Sequence, residues 1–178
     1  MAVSVRHATA ADAASLHELA AATFLLACPP GTPKEASDAF VAEHLSQDKF
    51  AAYAADPARV VIVASDDAVF VGYTMTIFAE SNDPDVLSAL TVFPSAELSK
   101  FYVRAEQHGA GVSAALMEAT VAAVADRGYP AVWLGVNQFN PRANRFYEKN
   151  GFLQVGVKRF LLAGNWEDDF VRERVLNA

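Results

Sequence analysis

The pattern of apolar and polar positions divides the chain into alternating helices and strands. Apolar runs that are continuous or recur with a period of two predict strands at 3–7, 60–65, 69–78, 97–103, 131–136, 153–162 and 169–176. Longer Ala-rich or amphipathic runs, several of which begin at capping residues, predict helices at 12–27, 37–45, 48–55, 112–127 and 140–150. The segment between 79 and 96 contains Pro84 and Pro94 and is predicted to be an acidic loop.

The order of these elements predicts an α/β fold with a mixed sheet. Two β-α-β steps, through the helices at 112–127 and 140–150, imply parallel strands, whereas the meander at 60–78 implies antiparallel ones. The helix at 112–127 is apolar nearly all round, which indicates packing on both sides. The strand at 131–136 is apolar throughout, which is typical of a central position in a sheet. A length of 178 residues predicts one domain.

Composition excludes several classes of protein. The chain has 14 basic and 21 acidic residues, a formal net charge of −7, whereas a generic nucleic-acid binder needs clustered positive charge. No window approaches the roughly 18 apolar residues of a membrane span. The first nine residues lack the basic and apolar regions of a signal peptide, and the single cysteine, Cys28, cannot form an internal disulfide. We therefore expect a cytoplasmic protein without nucleic-acid or membrane partners.

The charge is unevenly spread along the chain. Between Asn140 and Phe160 there are five basic residues and only Glu148 as an acidic one: Arg142, Arg145, Lys149, Lys158 and Arg159. Between Glu80 and Ser99 there are four acidic residues and no basic one: Glu80, Asp83, Asp85 and Glu97. The basic segment is suited to an anion and the acidic segment to a cation, although a solvated face accounts for either of them equally well.

A glycine-containing turn joins the strand that ends at Val103 to the helix that begins near Gly111. Backbone amides in such a turn lack partners and, together with the helix dipole, form an anion site. Gly109-Ala110-Gly111-x-x-Ala114 also fits a dinucleotide-binding pattern. In dinucleotide-binding folds the first β-α turn carries this pattern, whereas here it begins only at residue 109. The next strand ends at Asn137 and Gln138, where such folds have an acidic residue that binds ribose.

Other chemistry at this turn is less favoured. Gly111-Val112-Ser113-Ala114-Ala115 lacks the second glycine of a nucleophile elbow, and no histidine follows His108 in the chain. The sequence contains no G-x-x-x-x-G-K-[ST], so a nucleotide triphosphatase is not supported. The four histidines are scattered without ligand spacing, so no metal site is predicted.

Three segments of the C-terminal half carry a more specific pattern. They are ELSKFYV at 97–103, QHGAGVSAALM at 107–117 and NPRANRFYEKNGF at 140–152. Together they resemble the GNAT superfamily of acetyl-coenzyme A dependent N-acetyltransferases. The family's pyrophosphate loop, Q/R-x-x-G-x-G/A, falls on His108 to Ser113, and its motif N-x-x-A-x-x-F-Y-x-x-x-G-F is matched at every specified position. The resemblance implies a mixed, mostly antiparallel sheet with helices on both faces and two splayed parallel strands.

The resemblance also implies where acetyl-coenzyme A binds. The expected contacts are Tyr102, Val103, His108, Gly109, Ala110, Gly111, Val112, Ser113, Asn140 and Tyr147. His108 stands where the family usually has Arg or Gln, and Ser113 where it usually has Gly or Ala. Asn140 and the basic residues after it are expected near the pantetheine and the 3′-phosphate, although Asn140 is also accounted for as a helix cap. No metal cofactor is implied.

Acetyl transfer from a thioester to an amine requires three groups. A backbone N–H near Val103, free where the parallel strands splay in this family, is expected to stabilise the oxyanion. Tyr147, at the family's usual position for an acid, is expected to protonate the thiolate, and Glu97 to remove the ammonium proton. A plainer interpretation stays open for each side chain: Tyr147 as a packed aromatic, and Glu97 as a solvated carboxylate whose task a water chain would perform.

The predicted enzyme is a single N-acetyltransferase domain over 1–178, with the acceptor side at 1–95 and the acetyl-coenzyme A side at 96–178. The N-terminal helices and the loop from Pro29 to Lys34 would form the acceptor wall. The strand at 97–103 and the ending from Trp166 to Leu176 look like the branch that includes polyamine acetyltransferases, which implies a small cationic amine as acceptor. An acyl-coenzyme A sensor or structural protein without turnover, transfer to a peptide N-terminus or an amino acid, and a homodimer all stay open.

Overall fold

The computed structural model describes residues 3–162 and 164–176. The strands within them are β1 (Ser4–His7), β2 (Arg59–Asp66), β3 (Val69–Ile77), β4 (Ser95–Val103), β5 (Ala131–Asn137), β6 (Leu153–Leu162) and β7 (Asn165–Val175). The α-helices are α1 (Ala13–Ala27), α2 (Lys34–His44), α3 (Gln47–Ala55), α4 (Pro84–Ala89), α5 (Val112–Asp126) and α6 (Pro141–Lys149). Short 3₁₀ turns at Ala10–Asp12 and Ala105–Gln107 lead into α1 and towards α5.

The strands β1 to β7 form one mixed sheet in the order β1-β2-β3-β4-β5-β7-β6. Neighbouring strands are antiparallel except for β4 and β5, which are parallel. β7 returns between β5 and β6, so the β-α-β step through α6 connects parallel strands that are not neighbours. The predicted fold class, a mostly antiparallel mixed sheet with one parallel pair and helices on both faces, is confirmed.

Helices cover both faces of the sheet. On one face α5 packs closely, and a Cβ on Gly72 of β3 would lie only 2.9 Å from Leu116 Cδ1. On the other face Leu16 and Leu19 of α1 pack with Tyr73 and Met75 of β3. Coverage of both faces explains why β2 is apolar at consecutive positions rather than at alternate ones. None of the helices in the described part of the chain is both long and apolar enough to span a bilayer.

The segment between β3 and β4 contains a helix where a loop was predicted. Asp83 caps α4 by accepting a hydrogen bond from Asp85 N at 3.0 Å, and Pro84 occupies the first helical position, where no amide partner is needed. Val86 is buried beside Trp133 of β5. The prediction was wrong because α4 is only six residues long and therefore has too few apolar positions to show a helical period.

The two C-terminal strands form a longer hairpin than predicted. β7 begins at Asn165 rather than at residue 169, because Asn165 and Trp166 pair with Leu162 and Leu161 of β6. Arg159 of β6 lies over the Trp166 ring, 4.9 Å from its centroid. Residue 163, between these two strands in the sequence, lies outside the described residues.

Candidate active site

β4 and β5 separate after Glu97, and the gap between them is the centre of the site. Within the described residues they pair only where Ser95, Ala96 and Glu97 face β5. On its other edge β4 stays paired with β3, and the amide of Arg104 donates to Val71 O at 2.8 Å. Because hydrogen-bonded pairs alternate along an antiparallel ladder, the Val103 amide points away from β3 and into the gap. Its role as oxyanion donor stays a prediction.

A cavity of about 460 Å³ spans this gap and has a wall on each side of it. One wall, the α6 half, comes from the end of β4, the start of α5 and the first two turns of α6. The other wall, the α1 half, comes from the end of α1, from α2 and from the strands β6 and β7. Tyr102 and Gly135 belong to the strands that lie between the two halves. The gap therefore connects the two halves of the cavity, which lie on opposite sides of the strands.

The turn before α5 presents backbone amides that have no acceptor in the helix. Gly109 and Gly111 have φ values of +87° and +84°, and a Cβ at either position would meet no atom within 4 Å. The left-handed backbone at these glycines shapes the turn and leaves it open to a ligand. The Ala115 amide is the first to bond to the helix start, donating to Gly111 O at 3.0 Å. Of the amides between Gly109 and Ala114, that of Ala110 donates to Gln107 O at 3.1 Å, and the others fit an anion site.

The side chains of the turn differ in their surroundings. Ser113 lines the α6 half of the cavity, whereas Val112, the first residue of α5, is fully buried in the core. His108 also lines the cavity, but its Nε2 lies 3.2 Å from Val103 O, so its ring is turned back towards β4. Gly109 and Ala110 are exposed. Among these predicted contacts, Ser113 and His108 therefore offer side chains to the cavity, and the others offer backbone.

Helix α6 presents Asn140, Arg142 and Tyr147 to the cavity. Asn140 caps the helix by accepting from Ala143 N at 3.0 Å, so the helix-cap interpretation is correct, and the same side chain lines the cavity. Tyr147 is 9% exposed, and its phenol oxygen has no hydrogen-bond partner among the described residues. Burial raises the pKa of Tyr147, which keeps the phenol protonated at neutral pH.

Two ionisable side chains that the sequence analysis did not single out also line the cavity. Lys100 of β4 lies beside Ser99, whose Oγ is 3.3 Å from its Nζ, and burial lowers the pKa of Lys100. Asp169 of β7 is 9% exposed, and burial raises the pKa of its carboxyl to about 6. Nothing local in the sequence marks either residue, because strand pairing across the sheet decides which side chains face the cavity.

Comparison with known proteins agrees with this geometry. The model of the acetyltransferase (GNAT) family matches residues 16–152. An uncharacterized N-acetyltransferase of Mycobacterium tuberculosis is 44% identical over 165 residues, which is 93% of this chain and 98% of that protein. The chain belongs to the GNAT family. It is an acetyltransferase whose donor is acetyl-coenzyme A.

Solved structures of other GNAT proteins share the fold of this acetyltransferase. The PaiA N-acetyltransferase of Thermoplasma acidophilum in complex with coenzyme A has a TM-score of 0.78 at 18% identity and covers 99% of this chain and 100% of that one. Mutant forms of the spermidine/spermine N-acetyltransferase SpeG of Vibrio cholerae have a TM-score of 0.65 at 18% identity, over 98% of this chain and 95% of that one.

Glu97, the predicted base of this acetyltransferase, is not among the residues that line the cavity. It is half-buried at the last paired position of β4, opposite Trp133 of β5. Burial raises the pKa of its carboxyl, and the positive charges of Lys100, Lys158 and Arg59 oppose that effect. Its catalytic role stays a prediction.

A residue that the sequence analysis missed holds α6 of the acetyltransferase in place. Arg172 of β7 is buried, donating from Nε to Asn144 Oδ1 at 2.9 Å and from Nη1 to Phe152 O at 3.1 Å. Asn144 in turn donates to Asn137 O at 3.0 Å, at the end of β5. These bonds fix the helix that carries Tyr147 relative to the gap. Nothing in the sequence distinguishes Arg172 from the other polar residues of β7.

The charged segments of the sequence contribute little to the cavity wall. Of the basic residues between Asn140 and Phe160, Arg142 lines the cavity in the described part of the chain. Lys158 instead extends across Gly135, where a Cβ would lie 2.8 Å from Lys158 Cε. None of the four acidic residues between Glu80 and Ser99 lines the cavity. Within the described residues, no group of three or more His, Cys, Asp or Glu side chains is arranged to hold a metal.

The acceptor wall expected from residues 1–95 is shared between the two halves of the sequence. Phe24, Pro29 and Phe40 line the cavity, as the predicted role of the N-terminal helices requires. Phe160 and Asp169, from the C-terminal half, lie in the same wall. The β6–β7 hairpin reaches this wall because β7 inserts beside β5 in the sheet.

Proposed function

We propose that this acetyltransferase transfers acetyl from acetyl-coenzyme A directly to the primary amine of a small cationic acceptor. The observation that supports this is the cavity through the gap, with unpaired amides at one end and the buried carboxyl of Asp169 at the other. Amides at a helix start suit the anionic donor, and a carboxylate suits an ammonium group. The two substrates would meet between β4 and β5.

The donor would lie in the α6 half. The pyrophosphate would accept hydrogen bonds from the amides of Gly109, Gly111, Val112 and Ser113, whereas the Ala110 amide already donates to Gln107 O at 3.1 Å. The Ser113 hydroxyl, which lies in the cavity wall, would add another. Arg142 offers a positive charge along the same wall. The open backbone at Gly109 and Gly111 supports this placement, because no side chain blocks the approach.

The reaction requires charge stabilisation on oxygen and a proton for sulfur. The Val103 amide, which points into the gap, would donate to the carbonyl oxygen as negative charge develops there. Tyr147 would donate its phenol proton to the departing thiolate, and the raised pKa keeps that proton in place until the C–S bond breaks. Glu97, at the last position of β4 that pairs with β5, stays a candidate for the base that removes the ammonium proton.

The chemical identity of the acceptor is less constrained than that of the donor. A polyamine-like amine is the acceptor that the sequence predicts, and the shared fold of a spermidine/spermine N-acetyltransferase is consistent with it. Support for a cationic acceptor now comes from Asp169 rather than from the acidic segment. Lys100 in the cavity wall is the observation that favours the second candidate, an acceptor with a carboxylate such as an amino acid.

Calorimetry followed by thiol release tests the proposed function. Acetyl-coenzyme A and free coenzyme A are titrated first, and thiol release is then measured with spermidine, 2-phenylethylamine, phenylalanine and a short peptide. We expect binding of both coenzymes and turnover of at least one amine. Binding without turnover of any amine would favour the sensor, and no binding would contradict both functions.

A charge substitution at the helix start provides a matched control for donor binding. Ser113→Glu places a negative charge beside the expected pyrophosphate and is expected to weaken coenzyme A binding at least about tenfold. Ser88→Glu makes the same change on the exposed surface of α4 and is expected to leave binding unchanged. Equal affinities of the two variants would contradict the predicted pyrophosphate site.

A further inference from the structure

The α1 half of the cavity is walled by a row of aromatic rings from four elements. Phe24 of α1 and Phe40 of α2 stack with centroids 4.4 Å apart, and Phe40 meets Phe160 of β6 edge-on at 6.4 Å. Tyr102 of β4 continues the row beyond Phe24 at 6.1 Å. Such a row offers apolar contact to a flat or aliphatic group over a length greater than one ring.

Asp169 is the acidic residue of this cavity wall among the described residues. Its side chain is 9% exposed, and its carboxyl accepts no hydrogen bond from the described part of the chain. Oδ2 faces Gly135, where a Cβ would lie 3.3 Å away. A buried carboxylate without a donor is costly, so this arrangement indicates a ligand that brings donors with it.

Apart from Asp169, the charged side chains that line the cavity within the described residues are positive, whereas Glu167 and Asp168 of β7 lie outside its wall. Lys100 lines the cavity. Lys158 stands opposite Asp169 in the register of β6 and β7 without forming a salt bridge to it, and its ammonium lies 5.8 Å from the centre of the Phe160 ring. A second ammonium on the acceptor would meet these like charges and would find no second carboxylate in the described wall. The arrangement therefore favours an acceptor with a single positive charge.

We infer that the acceptor is a primary monoamine with an apolar body of aromatic size, whose ammonium meets Asp169 while its body packs on Phe24, Phe40 and Phe160. This inference rests on the proposed function and narrows it. It replaces the polyamine-like acceptor with one that carries one ammonium and a ring or branched aliphatic group.

The same placement makes Asp169 a base for the reaction. Asp169 takes one proton from the acceptor's ammonium, and the freed nitrogen lone pair forms a C–N bond to the thioester carbon, with the carbonyl π electrons moving to oxygen. Collapse of this intermediate breaks the C–S bond, and the thiolate leaves with the electron pair. Tyr147 protonates the sulfur, the second nitrogen proton replaces the one lost by Tyr147, and Asp169 releases its proton to water. The products are an N-acetyl amide and free coenzyme A thiol.

Acceptor competition tests the substrate class. Thiol release from acetyl-coenzyme A is measured with 2-phenylethylamine, spermidine, putrescine and phenylalanine under the same conditions. We expect kcat/KM for 2-phenylethylamine to exceed that for each of the others at least about tenfold. Preference for spermidine, putrescine or phenylalanine would overturn this inference while leaving the proposed function intact. No thiol release with any amine would overturn both.

Paired substitutions test the two parts of the proposed site. Asp169→Asn is expected to lower kcat/KM for 2-phenylethylamine about 100-fold, whereas Asp126→Asn, at the exposed end of α5, leaves it unchanged. Phe40→Leu is expected to raise KM for 2-phenylethylamine about fivefold, whereas Phe70→Leu, on β3 outside the cavity wall, does not. Each variant must bind coenzyme A as the unmodified chain does, which separates a lost acceptor site from a failure to fold.

A pH profile separates Asp169 from Glu97 as the base. The charged groups that act on Asp169 are Lys158 on β6 and Glu167 and Asp168 on β7. Its carboxyl pKa is raised to about 6, so kcat/KM is expected to rise with pH through that value and to lose this rise in Asp169→Asn. A rise that persists in Asp169→Asn and disappears in Glu97→Gln would overturn the role of Asp169.

Discussion

Gly111 and Gly128 stand at the two ends of α5 with almost the same left-handed backbone, at φ +84° and +74°. Neither position is crowded, since a Cβ at either would meet no atom within 4 Å. They differ in their surroundings: Gly111 closes the turn that faces the cavity, and Gly128 follows the opposite end of the helix, outside the cavity wall. This pair separates the backbone strain of a substitution from its effect on the ligand.

Gly111→Ala and Gly128→Ala are expected to cost about the same stability. A side chain in the left-handed region destabilises by about 1 kcal/mol, which urea unfolding of both variants measures. Only Gly111→Ala is expected to raise KM for acetyl-coenzyme A, by about tenfold, because only this Cβ would narrow the approach to the turn. A rise of equal size in Gly128→Ala would show that strain in α5, rather than access to the turn, controls donor binding.

Tyr147→Phe tests the acid. Removal of one oxygen atom from a well-packed ring preserves the apolar contacts with Phe101 and Phe152. We expect kcat to fall about 100-fold with little change in the affinity for acetyl-coenzyme A, measured by steady-state kinetics and calorimetry. Tyr129→Phe, at a half-buried tyrosine beside Phe78 outside the cavity wall, is the control. An unchanged kcat in Tyr147→Phe would leave Tyr147 as a packing residue.

Arg172→Met tests the attachment of α6 to the sheet. Methionine keeps an apolar stem of similar length but leaves Asn144 Oδ1 and Phe152 O without their donor. The expected loss is about 1–3 kcal/mol in the free energy of unfolding, with a lower kcat because Tyr147 is no longer held in place. Arg145→Met, at an exposed arginine of α6 itself, is expected to change stability by less than about 0.5 kcal/mol. Similar losses in the two variants would contradict the attachment.

Asp169→Asn is expected to stabilise the fold in a pH-dependent way. Burial raises the pKa of this carboxyl from 3.8 to about 6, so the folded state binds the proton more tightly than the unfolded state. The neutral acid is therefore tolerated at low pH, and the carboxylate opposes folding increasingly as pH rises from about 4 to about 6. Above pH 6 the asparagine variant should be more stable by about 1–2 kcal/mol, with the difference shrinking towards pH 4.

Urea midpoints at pH 8 and pH 4.5 measure this difference, and Asp126→Asn, at the exposed end of α5, provides the control. Loss of stability in Asp169→Asn at pH 8 would mean that the carboxylate is paired with a donor in solution. A stable variant with low activity would show that this group is retained for the reaction at the expense of the fold.

Much of the fold follows from local patterns along the sequence. α5 and α6 begin and end where Gly111, Asn140 and Gly151 predict, because capping and left-handed glycine conformations depend on neighbouring residues only. The family, now confirmed, was recognisable from the turn at His108–Ser113 and the motif from Asn140 to Phe152. α4 escaped prediction because one and a half turns of helix carry too little periodicity.

The roles of individual charged residues were harder to predict. The acidic segment between Glu80 and Ser99 suggested a cationic acceptor, yet the carboxylate in the cavity wall is Asp169. Its position depends on the register of β7 against both β5 and β6, in which Asp169 stands opposite Asn137 and Lys158. No short-range pattern encodes a register set by two partners so far away in the sequence.

The sequence by itself determined the elements other than α4, the glycine turn before α5 and the family of this acetyltransferase, because each depends on residues within one helix, strand or loop. The tertiary structure decided where β4 and β5 part, which aromatic rings line the α1 half of the cavity, and that Asp169 is buried there without a donor. These features depend on contacts between residues separated by tens of positions. Burial and strand pairing, which exist only in the folded chain, set both the geometry and the pKa values of the site.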